Sequence, residues 1–270
     1  MPNNKVIAIT LYRRPEYTQK LFDALNRCYG IEDYEVFISC DYNLAYLEDC
    51  RKCQDIAKEF AENREASTNI WVHEPRLGID LNKLFILPKA FEASDYVIFL
   101  EDDTIPSVDA LRYFEWGDQF QSDPSVVAVC GYERYSDIPY HSLVLEHQPY
   151  AALRKPKTFS SWGWALWKDR YERIYNMDGK RYKEGTGSEA NGRFDWWLFW
   201  EFREGDVCIF PRLPRIQSIG GAKGEHTPSP EWHLANEYNP LGAWSQEMPD
   251  ECPWTLVPAS WDEAMKELKQ

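Results

Sequence analysis

Long apolar runs are absent from this sequence of 270 residues. No stretch approaches the ~20 consecutive apolar residues that a membrane-spanning helix needs. The first five residues lead into a short predicted strand and not into the apolar segment of a signal peptide. Internal repeats and low-complexity tracts are also lacking. The sequence therefore predicts a soluble, unexported globular protein, for which we expect a cytoplasmic location.

Positive charge is scarce, and the formal net charge is -14 at pH 7. This excess of acids argues against binding nucleic acid or an anionic membrane surface through bulk charge, although a local basic groove is compatible with it. It suits a metal ion that bridges an anionic ligand. The seven cysteines are odd in number and scattered, which favours a reducing compartment over a disulfide framework. Cys50 and Cys53 lack a second pair at zinc-finger spacing, so we do not expect structural zinc there.

Strand and helix signals alternate through the first half of the chain. This order predicts parallel strands joined by right-handed helical crossovers, an α/β, Rossmann-like unit of roughly 120 residues. The predicted strands are 5–10, 35–40, 69–73, 96–100 and 126–131, and the predicted helices are 16–27, 46–62, 80–91 and 107–121.

The second half is less regular. Residues 132–157 are typical of a functional surface loop or an irregular hairpin. Order resumes at 160–167, and further predicted elements are helices at 168–175, 194–204 and 261–268 and a strand at 207–210. We expect this half to pack on the first within a single domain of residues 1–270, divided near residue 125.

An acid triplet closes the strand predicted at residues 96–100. Glu101, Asp102 and Asp103 follow an apolar run directly, and ligands of open α/β sheets bind outside the carboxyl ends of the strands. Carboxylates beside a buried strand cost desolvation free energy unless a cation offsets it. We therefore predict a metal site, with Glu101 and Asp103 leaning to one side and Asp102 to the other. A solvated acidic turn before the next helix is the alternative.

Other charged residues follow the neighbouring predicted strands. Asp41 ends the second strand and is a candidate to accept hydrogen bonds from a base or ribose, and the loop at 10–14 would bring a cation to the same edge. Arg76 and Lys83 flank Gly78, whose backbone permits close approach, and the two cations could meet a pyrophosphate. An ordinary turn residue for Asp41 and a solvated helix residue for Lys83 are the alternatives.

One acid of the second half lies among aromatic residues. Asp195 precedes Trp196 and Trp197 at a predicted helix start, where the helix N-terminus favours a carboxylate that the rings shield from water. Such a carboxylate suits a general base for a sugar hydroxyl, and a helix cap is the alternative. Trp162 and Trp164, like Trp196 and Trp197, could stack on the apolar faces of pyranose rings or fill the core. A glycine-rich loop carries His226, a candidate to close over a phosphate or to ligate the metal.

Together these segments resemble the GT-A glycosyltransferases, and specifically the Golgi N-acetylglucosaminyltransferases that add a β-linked GlcNAc to the mannose arm of N-glycans. The matching segments occur in family order over most of the chain: 6–13, 38–41, 81–85, 97–103, 108–114, 163–164, 194–197 and 208–215. The resemblance implies a GT-A fold, a UDP-sugar donor, a glycan acceptor and Mn²⁺ or Mg²⁺.

The resemblance also implies roles for individual residues. Asp103 matches the acid that contacts the manganese bridging the donor pyrophosphate, and Asp102 lies on the nucleotide side. Arg13 and Asp41 fall where the family grips the uridine, and Asp195 falls on the catalytic base. Three features depart from the family. A single acid stands at 194–197 where the family has two, Arg76 replaces a histidine, and the segment 132–157 has no counterpart.

We therefore expect an inverting, metal-dependent glycosyltransferase that moves GlcNAc from UDP-GlcNAc to a glycan hydroxyl. A single displacement would convert the α-linked donor into a β-linked product. A retaining GT-A transferase or a sugar-nucleotide pyrophosphorylase would use the same acidic strand end. A carbohydrate-binding protein without turnover would explain the tryptophans but not the acid triplet.

Overall fold

The computed structural model describes residues 4–133, 150–176, 202–221, 229, 231 and 253–257. The strands are β1 (Lys5–Leu11), β2 (Tyr34–Cys40), β3 (Thr68–Val72), β4 (Tyr96–Glu101), β5 (Thr104–Pro106), β6 (Val126–Cys130), β7 (Ala151–Pro156), β8 (Trp164–Trp167), β9 (Val207–Pro211), β10 (Ile216–Ser218) and β11 (Thr255–Leu256). The α-helices are α1 (Pro15–Leu25), α2 (Leu47–Glu62), α3 (Ile79–Ala93), α4 (Ala110–Gly117) and α5 (Lys168–Asn176). Short 3-10 helices span Ile31–Asp33, Leu44–Tyr46 and Asp118–Ser122.

Among the described residues, nine strands form one mixed sheet in the order β11-β7-β9-β6-β8-β4-β1-β2-β3. β1 lies parallel to both β2 and β4, and β2 lies parallel to β3. This arrangement confirms the predicted α/β class with its parallel strands and helical crossovers. Strands from both sides of residue 125 share the sheet, because β8 pairs antiparallel with β4 on one side and β6 on the other.

The core lies on both faces of this sheet, as the alternation of side chains along a strand requires. On one face, Ile7 and Ile9 of β1 pack with Leu21 and Phe22 of α1 and with Phe60 of α2. On the other face, Val6 and Ala8 of β1 pack with the buried side of α3. The buried apolar residues of α3 on this side are Ile86, Leu87, Ala90 and Phe91. The helices therefore fix the central strands from both sides and leave their carboxyl ends at one edge.

Trp164 belongs to the core, which corrects its predicted role in acceptor binding. It is 0% exposed and stacks on Phe99 of β4, with ring centroids 4.9 Å apart. A side chain enclosed between two strands offers no face to a sugar ring. Trp162 is half-buried and lies against Tyr132, with ring centroids 4.3 Å apart.

A buried ion pair shortens the helix predicted at residues 107–121. Arg215 is 0% exposed, and its Nε donates to Asp109 Oδ2 at 2.9 Å while its guanidinium lies 4.4 Å from the ring centroid of Trp254. Because Asp109 is held by this contact and by the hydroxyl of Ser107, the helix begins only at Ala110. Residues 118–122 continue it as a 3-10 turn.

Three strand pairings were not predicted from the sequence. β5 and β10 form a two-stranded antiparallel sheet, β7 occupies part of the segment expected to be irregular, and β11 pairs with β7. β5, β10 and β11 have two or three residues and are too short to show hydrophobic alternation, whereas β7 has six residues. The helices predicted at 194–204 and 261–268 fall almost entirely outside the described residues. No helix within the described ranges is both long and apolar enough to cross a membrane.

Candidate active site

The carboxyl ends of four parallel strands bring the predicted donor-side residues to one edge of the sheet. Register pairs Thr10 with Glu101, Leu11 with Cys40, and Cys40 with Val72. The loops that follow β1, β2, β3 and β4 therefore lie side by side. This edge is where open α/β sheets bind their ligands.

Arg14 joins the acids at the end of β4. Its Nε donates to Asp102 Oδ2 at 3.0 Å and its Nη1 donates to Asp103 Oδ2 at 2.9 Å. Nη2 makes a further bond to Asp102 Oδ1. The loop after β1 thus delivers a cation to the acids, as predicted, but the residue that arrives is Arg14. The neighbouring Arg13 instead lies over the rings of Tyr46 and Tyr12, at 4.0 and 5.3 Å from their centroids.

The two aspartates differ in access. The side chain of Asp102 is 4% exposed and that of Asp103 is 16% exposed. Burial raises the pKa of Asp103 to about 6 even though Arg14 opposes the shift, and burial likewise raises the pKa of Asp102. Burial alone would lower the pKa of Arg14, but the two carboxylates raise it. Asp103 is therefore the carboxylate that a ligand can reach, and Arg14 is the charge that stabilises both acids in the absence of one.

Glu101 has a separate partner. Its Oε1 lies 3.1 Å from Nζ of Lys83, whose side chain is only 5% exposed. This burial decides between the two interpretations of Lys83, which is not a solvated helix residue. Thr104 closes the turn after β4, because its hydroxyl accepts from the Glu101 amide and donates to the Glu101 carbonyl, both at 2.8 Å.

Asp41 anchors the loop before α3. Its Oδ1 accepts from the amides of Tyr42 and Leu77, both at 2.8 Å, and its Oδ2 accepts from the amide of Gly78 at 2.9 Å. Asp41 is 3% exposed, and its bonds to three amides hold the loop before α3 in place; its contact with a base or ribose stays a prediction. Arg76 of this loop is half-exposed, and its Nε lies 4.0 Å from Asp41 Oδ2.

Sequence reasoning missed a buried polar network beneath the same edge. Ser39 Oγ lies 2.7 Å from His73 Nε2 and also donates to Asn82 Oδ1. Burial lowers the pKa of His73, which favours its neutral form. The network ties the ends of β2 and β3 to α3. In the sequence, the feature that indicated this network was His73, the last residue of the strand predicted at 69–73.

The chain after β10 packs directly on Asp103. The Ile219 amide donates to the Asp103 carbonyl at 2.8 Å. A Cβ placed on Gly220 would lie 2.3 Å from Asp103 Oδ2, far inside contact distance. Glycine is therefore required here by the carboxylate, and the β5–β10 pairing holds it in place.

A divalent cation fits this edge only with other ligands. Within the described residues no group of three or more His, Cys, Asp or Glu side chains could hold a metal ion. Asp103 offers one carboxylate, and Mg²⁺-type sites commonly use one or two carboxylates, with substrate phosphates and water completing the coordination. The site therefore suits a cation that arrives with a phosphate ligand. The predicted ligand His226 lies outside the described residues, as do Asp195, Trp196 and Trp197.

No protein-family model and no curated protein sequence matches the chain. Among solved structures it is similar to the mannosyltransferase PcManGT from Pyrobaculum calidifontis in complex with GDP-Man and Mn²⁺, at 17% identity and a TM-score of 0.43, over 66% of this chain and 47% of that one. It is also similar to the glycosyltransferase GlyE of Streptococcus pneumoniae, at 9% identity and a TM-score of 0.42, over 77% of this chain and 45% of that one. It is similar as well to mouse xyloside xylosyltransferase 1, at 11% identity and a TM-score of 0.41, over 74% of this chain and 81% of that one. The chain spans about half the length of the first two proteins, and likenesses of this extent identify no family.

Proposed function

We propose that the chain is a metal-dependent glycosyltransferase that takes its sugar from a nucleotide-sugar donor. The observation that carries the proposal is the partly exposed Asp103 at the end of a buried parallel strand, paired with Arg14. A carboxylate in that position is suited to hold a cation on a diphosphate. The GT-A resemblance of the sequence supports the same reaction class.

The finer assignment is transfer of GlcNAc from UDP-GlcNAc to a glycan hydroxyl with inversion. In this scheme residues 1–125 bind the donor, and residues 126–270 supply the acceptor surface and the base. Mn²⁺ or Mg²⁺, when bound, supplies positive charge to the departing diphosphate. Arg76, half-exposed on the loop that Asp41 anchors, adds a second positive charge near that leaving group.

Asp195 is the proposed general base. It takes the proton of the acceptor hydroxyl as the oxygen attacks the anomeric carbon from the face opposite the leaving nucleotide. A single displacement of this kind gives a β-linked product from an α-linked donor. Trp162, Trp196 and Trp197 are the candidates to stack on the acceptor, whereas Trp164 is excluded by its burial.

The first test measures binding and slow hydrolysis of a panel of nucleotide sugars, with and without MnCl₂. We expect one UDP-sugar to bind in a Mn²⁺-dependent manner, and Asp103→Ala to weaken that binding by at least about tenfold. Asp55→Ala, which removes an exposed acid of α2, is the matched control and should bind like the wild type. The anomeric configuration of the product, read by NMR, tests inversion.

Two outcomes would contradict the proposal. If no nucleotide sugar binds with or without Mn²⁺, while a glycan binds equally well after chelation, the protein is a carbohydrate-binding module. If Asp103→Ala binds the donor as the wild type does, the acid at the end of β4 does not hold the cation.

Gly220→Ala should weaken Mn²⁺-dependent donor binding by about tenfold or more, because the new methyl group would occupy the space of Asp103 Oδ2 and push the carboxylate out of its position at the end of β4. Calorimetric titration with the donor measures the effect. Gly205→Ala is the control, since Gly205 has φ +89° and open space around it. It should cost stability, typically on the order of 1 kcal/mol, and leave donor affinity intact. Equal donor affinity in Gly220→Ala and wild type would refute the steric argument.

A further inference from the structure

Arg14 makes more hydrogen bonds to the two aspartates than a single ion pair would provide. Three of its nitrogens contact carboxylate oxygens, and the bond network is partly buried, because the Arg14 side chain is 22% exposed and that of Asp102 is 4% exposed. A planar guanidinium suits such a multiple contact in a way that a lysine ammonium does not. Asp102 takes two of the bonds and Asp103 takes one.

This geometry places a permanent cation beside the carboxylate that a metal ion would need. Asp103 Oδ2 is both the acceptor of Arg14 Nη1 and the atom that faces Gly220. A divalent cation that approaches alone must therefore share Asp103 with a guanidinium of like charge. Like charges at short range in a partly buried site oppose each other strongly, since screening by water is reduced there.

The net charge of the cluster also favours binding of a cation together with an anion. Three acids, Glu101, Asp102 and Asp103, face two bases, Arg14 and Lys83, which leaves one net negative charge when all are ionised. A dication alone would reverse that sign, and a diphosphate alone would add to it. A dication together with a doubly charged diphosphate leaves the charge of the cluster unchanged.

We propose that Arg14 is a positioning residue that makes the divalent cation and the diphosphate of the donor bind as a pair. The inference rests on the proposed function and adds to it a named residue and a coupling between the two ligands. A diphosphate supplies oxygen acceptors for the guanidinium, which lessens the competition for Asp103. Without the diphosphate, Arg14 keeps Asp103 and the cation binds weakly.

The test is a set of Mn²⁺ titrations by calorimetry and by EPR of free Mn²⁺, with no turnover required. Affinity is measured for MnCl₂ alone, with saturating UDP, and with inorganic pyrophosphate, which presents a diphosphate without a nucleoside. For the wild type we expect UDP to tighten Mn²⁺ binding by at least about tenfold, and pyrophosphate to do so in part.

Arg14→Gln removes the charge and should tighten the binding of Mn²⁺ alone by about tenfold, so that UDP changes Mn²⁺ affinity by less than about threefold. Arg14→Lys keeps the charge but loses the planar set of donors, and should retain part of the wild-type coupling. Arg112→Gln, which removes an exposed arginine that pairs with Glu115 of its own helix, is the matched control. Circular dichroism melts confirm that each variant is folded.

Each outcome separates the two proposals. Wild-type protein that binds Mn²⁺ equally well with and without UDP overturns the coupling whatever the variants do. Coupling that survives in a folded Arg14→Gln protein assigns it to some other residue. Failure of the wild type to bind UDP under any metal condition overturns the proposed function itself, and the inference with it.

Discussion

Asp195→Asn is expected to lower the rate of sugar transfer by about a hundredfold or more, because an amide cannot accept the proton of the acceptor hydroxyl. General-base contributions to enzymatic rates are typically about 10²–10⁴-fold. The sequence has one acid at this position, between Phe194 and Trp196, so neither adjacent residue in the sequence can substitute for it. The rate is measured with saturating donor and acceptor.

The same variant should bind the donor with wild-type affinity, because the proposed donor site lies at the end of β4 and the proposed base belongs to the other half of the chain. This pattern is the reverse of the one expected for Asp103→Ala, in which donor binding itself is weakened. Asp55→Asn, an exposed acid of α2 paired with Lys58, controls for the loss of one negative charge. Near-normal turnover by a folded Asp195→Asn protein would remove Asp195 from the role of base.

Three of the parallel strands were predictable because each carries a strong local signal. β1, β2 and β4 are six or seven residues long, largely apolar and largely buried on both faces, and this composition is typical of a central parallel strand. Polar residues follow two of them at once, at Asp41 and Asp102. The edge that carries the candidate site follows from this order alone, since carboxyl ends of parallel strands lie together.

The partners of those residues were not predictable, because they depend on contacts far apart in sequence. Arg13 and Arg14 are adjacent and identical in type, and only the backbone at the start of α1 decides which one reaches the acids 88 residues away. The carboxylate of Asp41 accepts hydrogen bonds from amides 36 and 37 residues further along the chain. Lys83 lies on a helix whose polar residues give no sign that one of them is buried against β4.

Trp164 shows the limit of reading aromatic residues by composition. Its indole suits either a sugar platform or a core, and both uses were open in the sequence. The outcome is set by β8, which enters the sheet antiparallel between β4 and β6 and pairs Trp164 with Phe99. A four-residue strand flanked by irregular sequence carries too little periodicity to reveal that position.

Trp164→Ala is therefore expected to destabilise the protein by about 3–5 kcal/mol, the usual cost of replacing a fully buried tryptophan with alanine. The change removes the ring that stacks on Phe99 and contacts Phe159 edge-on, with a centroid separation of 5.8 Å, and leaves a cavity beside the strand that ends in the acids. Urea unfolding measures the effect as a lower midpoint. Trp164→Phe keeps a ring against Phe99 and should lose less stability. If Trp164→Ala kept the wild-type midpoint but lost affinity for a glycan acceptor, Trp164 would be an acceptor-binding residue after all, and the placement of β8 in the centre of the sheet would be wrong.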